Sequence, residues 1–75
     1  MSLDSVTREI LSRRDPHGYY VIPAREEART LAHGPGIIVV DVGEGVLIKT
    51  RSRSQAVRLL RILHKKGLLV EEEEM

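Results

Sequence analysis

Residues 37–50 read IIVVDVGEGVLIKT, a β-branched run interrupted only by Asp41, a Gly-Glu-Gly break and a second, largely apolar run. Side chains branched at Cβ are stiff and pack best on an extended, pleated backbone, so Ile37 to Val42 is expected to be a strand. Gly43, Glu44 and Gly45 are expected to supply the positive-φ positions of a tight turn, and Val46 to Thr50 to return as the paired strand. A β-hairpin is thus the element this chain must accommodate. It carries more apolar strand than one copy of a 75-residue chain easily covers, so a homodimer is expected.

Around the hairpin the signals alternate between helix and strand. Leu3, Val6 and Ile10, with Leu11 beside them, recur at helical spacing, and Asp4 or Ser5 can cap the run, so residues 3–14 are expected to be a short amphipathic helix. Asp15, Pro16, His17 and Gly18 end it. Tyr19 to Ile22 is strand-like and closed by Pro23, and Ala24 to Ala32 is rich in helix formers. Gly34, Pro35 and Gly36 stop that segment. After the hairpin, Ser52 or Ser54 is expected to cap a helix from about Gln55 to Lys66, with Ala56, Leu59, Leu60 and Leu63 as its apolar stripe and Gly67 as its C-cap. Leu68 to Val70 can add a last short strand. The expected order is helix, strand, helix, hairpin, helix, strand in a single α+β domain of residues 1–70, followed by an acidic tail at residues 71–75.

Composition narrows the core and the chemistry. There is no Phe or Trp and there are only two Tyr, which leaves the core to Val, Ile, Leu and Ala. The absence of Cys removes disulfides, thiolate-bound zinc and thiol catalysis. His17, His33 and His64 lack the spacing of helix-borne metal ligands, no Gly-x-Ser-x-Gly turn occurs, and paired carboxylates are confined to the tail, so neither metal, cofactor nor enzymatic chemistry is expected. Residues 43–50, GEGVLIKT, approach the phosphate-binding pattern G-x-x-x-x-G-K-[ST], but Ile48 stands where that loop needs a glycine. With no apolar run long enough to cross a bilayer and no basic-then-apolar start, a cytoplasmic location without membrane attachment is expected. Asn is absent, Gln55 is the single Gln, and Arg outnumbers Lys nine to three, a pattern that fits a thermophilic source.

Charge carries the functional expectation. Between Gly45 and Val70 stand seven basic side chains and no acid, and Glu71 to Glu74 follow, although the formal net charge is only +1. Segregation of this kind gives the molecule a directed field that acts on partners. On the last expected helix Arg58, Arg61 and Lys65 fall opposite the apolar stripe, with Ser54 and Arg51 extending the line backward and Arg53 a further expected nucleic-acid contact. Such a stripe can track phosphates, which points to nucleic acid. Tyr19 and Tyr20 are adjacent on a strand and must face opposite ways, so the paired aromatic platform of single-strand RNA readers is missing, which favours DNA over RNA. The acidic tail is placed to fold back on the stripe and compete with a polyanion.

The run from Gly18 to Thr50 resembles the swapped-hairpin DNA-binding domains of the AbrB and MazE type. Gly18, Ile22 and Pro23 stand in GYYVIP at the family's spacing, Ala24 to Leu31 is similar to its short helix, Pro35 and Gly36 to its turn, and Ile37 to Thr50 to its terminal hairpin. The helix sets Leu31 one residue late, and Ile37 replaces the Asp that follows the Pro-Gly pair in the family. The family also begins with a strand where residues 3–14 have helical spacing. What the resemblance implies is a dimeric transcription regulator or antitoxin that grips DNA near its first hairpin, here through Arg13, Arg14 and Arg25.

From Tyr19 onward the same elements also read strand, helix, strand, strand, helix, strand, the split βαβ order of ferredoxin-like domains. A helix-turn-helix fits less well, since Val46 to Thr50 is a strand where the first helix and turn belong. The expected function is therefore a small non-enzymatic nucleic-acid-binding protein. The alternative of another class is an interaction subunit that docks its basic helix on an acidic protein.

Overall fold

The computed structural model describes residues 3–70, with side chains from residue 5 onward; Glu71 to Glu74, for which competition with a polyanion is expected, lie outside the described residues. The chain is an α+β domain with two α-helices and a three-stranded antiparallel sheet. Helix α1 (Leu3–Leu11) leads to β1 (Tyr20–Ala24), a 3-10 segment (Glu26–Thr30), β2 (Ile38–Asp41), β3 (Val46–Thr50) and α2 (Arg53–Lys65). The strands lie side by side in the order β1-β3-β2, with β3 central.

Register divides the strands into two sets. Ile22, Ile48 and Val39 stand opposite one another, as do Ala24, Val46 and Asp41, and the Tyr20–Thr50 pair completes the inner face. Onto that face α2 lays Ala56, Leu59, Leu60 and Leu63, all buried, and α1 adds the buried Val6. The core is aliphatic apart from Tyr20. The buried Thr50 spends its hydroxyl locally, donating to Gln55 Oε1 at 2.6 Å and accepting from the Ser52 N–H at 3.1 Å.

Several element boundaries differ from those the residue pattern suggests, each for a local reason. Helix α1 ends at Leu11, short of residue 14, because Arg14 is drawn into a bridge with Tyr20 beside β1. The described helix begins at Leu3, so Asp4 and Ser5 lie within it. Strand β1 continues through Pro23 to Ala24. The Pro23 carbonyl accepts from the Val70 N–H at 3.1 Å, so its nitrogen faces that same edge and the missing N–H removes no bond to β3. With Ala24 held in the strand, Glu26–Thr30 is a 3-10 segment, bonded Ala28 N–H to Arg25 C=O and Leu31 N–H to Ala28 C=O, both 2.9 Å, and it closes on an α-type bond from the Ala32 N–H to the Ala28 carbonyl at 3.1 Å. The expected last strand is a single bridge between Leu69 and Ala24.

The turns explain two glycines. Gly43 has φ of +92°, whereas Gly45 does not have positive φ and Glu44 stays in the ordinary region, so the expected left-handed run shrinks to one residue. Gly45 is required for space: a Cβ there would lie 2.6 Å from the Ala24 carbonyl oxygen. At the end of α2 the cap is Lys66, and Gly67, at φ +70°, is the residue beyond it. The Gly67 N–H bonds the His64 carbonyl at 3.1 Å and the Leu68 N–H the Leu63 carbonyl at 2.8 Å, which closes a Schellman turn.

Candidate nucleic-acid interface

Helix α2 is built to hold a rigid outward face. Ser52, extended at φ −88°, accepts from the Gln55 N–H at 3.3 Å and caps the first turn, while Gln55 Nε2 donates to the Pro35 carbonyl at 3.2 Å and ties the helix start to the loop before β2. Burial of Ala56, Leu59, Leu60 and Leu63 then fixes the rotation of the whole helix. Ser54, Arg58, Arg61 and Lys65 are all exposed, and at their spacing they form one line about 16 Å long on the side away from the sheet. Among the described residues no carboxylate pairs with any of the three cations in that line. Lys65 and His64 sit in the last turn, where the helix dipole favours positive charge.

The basic residues before the helix are arranged differently from a simple backward extension of that line. Arg51 lies outside α2 with its guanidinium over the Tyr19 ring, 4.5 Å from the centroid, so the half-exposed tyrosine is covered by a cation on one face. Tyr20 is buried, accepts a hydrogen bond on its hydroxyl from Arg14 at 2.6 Å, and has the Arg14 guanidinium 4.8 Å from its ring. The two tyrosines do face opposite ways. Arg53, the first residue of α2, borders a shallow cleft with Thr7, Arg8, Leu11 and Ser12 of α1 and its end. Arg8 is exposed and joins the basic surface only through this packing, 45 residues from Arg53 in sequence; its place in α1 carries no local signal that would single it out.

Arg13, Arg14 and Arg25 do not join the α2 line. Arg13 pairs with Glu9 at 3.2 Å across one helical turn, both side chains exposed. Arg14 is committed to Tyr20. Arg25 is exposed at the start of the 3-10 segment and makes no side-chain capping bond. Arg29, by contrast, donates to Asp41 at 2.7 Å and to Glu26 at 2.8 Å, and these two carboxylates hold its guanidinium above its ordinary range, Asp41 contributing first. The Asp41 carboxyl lies below its usual range, chiefly because the Gly43 N–H donates to it and next because of Arg29.

No group of three or more His, Asp or Glu side chains among the described residues is gathered to hold a metal ion. No described helix is long and apolar enough to cross a membrane. Comparison with protein-family models, curated proteins and solved structures yields no match to this chain.

Proposed function

We propose that this chain is a non-enzymatic nucleic-acid-binding protein that grips the backbone of duplex DNA with the outward face of α2. One observation carries this: Ser54, Arg58, Arg61 and Lys65 form an exposed line on a packed helix, and no carboxylate among the described residues pairs with its three cations. Three cations held at fixed spacing displace counterions from a phosphate backbone and give affinity that falls with salt. Arg53 and Arg8 widen the basic surface at the start of the helix, and Arg51 stacked on Tyr19 keeps its charge toward solvent.

The sheet order supports a split βαβ arrangement for the domain. Leu69 bridges to the free side of β1, giving Leu69, β1, β3 and β2 across the sheet, and the α-helical Leu3–Leu11 occupies the place where the swapped-hairpin family begins with a strand. Backbone grip without a built base-reading element fits a protein that binds many duplex sequences about equally.

The test is replacement of Arg58, Arg61 and Lys65 together by Ala. Binding to unrelated duplexes should weaken uniformly, and the slope of log affinity against log salt should become shallower by roughly 0.9 for each phosphate contact removed. Thermal stability should barely move, because all three are exposed. A folded triple variant with unchanged affinity and salt slope refutes DNA binding by α2, and tight salt-sensitive binding to an acidic protein with none to duplex would reassign the same face to protein docking.

A further inference from the structure

We infer that the outer face of the sheet is the surface on which a second copy of this chain packs, and that the dimer so formed turns its two α2 helices to opposite sides, where they hold two duplexes at once. The interface stands on geometry alone; the bridging rests on the reading of α2 as a duplex-binding helix.

An antiparallel sheet with one face in water alternates apolar and polar residues. These strands do not. Register sets Val21, Lys49 and Ile38 in one row of the outer face and Pro23, Leu47 and Val40 in the next, five apolar residues of six. The single cation is neutralised at the margin, with Lys49 Nζ 3.5 Å from Asp15 Oδ2. Ile38 and Val40 remain 42% and 37% exposed, with Val42 just beyond them at 51%, and Val70 at the opposite, β1 margin is 38% exposed, so large apolar side chains stay uncovered at both sides of the face.

Its shape and charge fit a copy of itself. On the β1 side α1 overhangs the face and encloses a trough of about 400 Å³ whose apolar lining includes Ile10, Val21, Pro23, Leu47 and Val70. On the other side β2 presents Ile38 and Val40 uncovered. A two-fold axis through the face sets each copy's β2 margin over the other's trough, so one patch contains both the recess and what fills it. Of the charged residues that line the trough, Arg13 pairs with Glu9, Asp15 with Lys49, and Arg14 donates to the Tyr20 hydroxyl, so each is engaged within the chain and the face favours an apolar occupant over a charged one. The sheet face measures roughly 14 by 17 Å. A face of this size lies below the ~800 Å² per partner of a standard interface, so a weak, concentration-dependent dimer is expected. Helix α2 covers the opposite side of the sheet, and two sheets packed face to face therefore carry their basic helices outermost.

Light scattering from a few micromolar to a few hundred micromolar should show the mass rising from 8.5 kDa toward twice that value. Val40→Lys and Leu47→Lys, each checked for native circular dichroism, should stay at one chain's mass throughout. Leu47 is on the central strand, so a dimer joined through the open edge of β2 would survive Leu47→Lys, and that result overturns face packing. A parent that stays monomeric over the whole range overturns the interface outright. For bridging, a bead-bound duplex should capture a second, fluorescent duplex at low salt with the parent and not with Val40→Lys, although Val40→Lys should still bind single duplexes. A dimeric parent that binds duplex without capturing a second one, or a monomeric Val40→Lys that bridges, refutes the outward arrangement. If the parent binds no duplex, the reading of α2 fails while the mass measurement still decides the interface.

Discussion

The two faces of the sheet are made by the same strands from the same kinds of residue, yet only one of them is closed. On the inner face Ile22, Ile48 and Val46 are almost fully buried under α2, whereas one residue along, Leu47 is half-buried and Val40 exposed. A strand has a period of two, so this contrast comes from what covers each side and not from the strands themselves. Helix α2 has one apolar stripe and covers one face. The other face is covered only in part, by α1 on its β1 side, which leaves Ile38 and Val40 of β2 exposed.

The sharpest way to break the comparison is to truncate matched positions on the two faces. Ile48→Ala removes a fully buried side chain from the middle of the core and should cost about 3 kcal/mol, a large part of the stability of so small a domain. Val40→Ala on the outer face should change the unfolding of dilute monomer by less than about 0.5 kcal/mol. Urea denaturation at submicromolar and at high protein concentration measures both. Equal losses at the two positions in dilute solution would mean that the outer face is already covered within one chain.

Gly45 tests the hairpin that carries both faces. A methyl group there meets the Ala24 carbonyl at 2.6 Å, and backbone cannot give way as a side chain does, so Gly45→Ala should destabilise by about 2 kcal/mol through displacement of β3 from β1. Gly67→Ala strains only the left-handed residue after α2, with open space around its Cβ, and should cost about 1 kcal/mol. Thermal melts of the two variants should rank in that order.

How much of this was legible in the residues follows the same division. The hairpin, α1, α2 and the buried stripe Ala56, Leu59, Leu60 and Leu63 could be read because local periodicity specifies them, helped at α2 by its Ser52 cap. The exposed line Arg58, Arg61 and Lys65 followed from that stripe, since fixing one side of a helix fixes the other. What depended on tertiary bonds could not be read. Pro23 looks like a strand terminator until the Val70 N–H shows which edge its nitrogen faces. The segment after Ala24 has helical composition, but the strand and the bond from the Arg25 N–H to the Leu68 carbonyl at 2.8 Å hold its start extended, and it forms a five-residue 3-10 segment in place of an α-helix. Arg8 joins Arg53 and Arg13 turns to Glu9 through contacts that charge counting does not register.

The smallest expected effect concerns Asp15, which links the loop after α1 to the outer face. Its carboxylate accepts from the Tyr19 N–H at 2.8 Å and the His17 N–H at 2.9 Å and reaches Lys49 at 3.5 Å. These contacts, led by the Tyr19 N–H, hold its pKa below the usual carboxylate value against the opposing effect of partial burial. A carboxylate with a depressed folded-state pKa adds stability that is fully present above the unfolded value, near 3.9, and is lost as pH falls through the folded one. Asp15→Asn keeps an acceptor but removes the charge, so its melting temperature should lie slightly below the parent's at neutral pH and converge with it in acid. A gap that stayed constant down to the acid limit would assign the contribution to loop shape alone. The variant also leaves Lys49 as an unmatched cation on the apolar face, so self-association through the proposed outer-face interface should weaken relative to the parent at neutral pH, and added salt, which screens that charge, should narrow the difference.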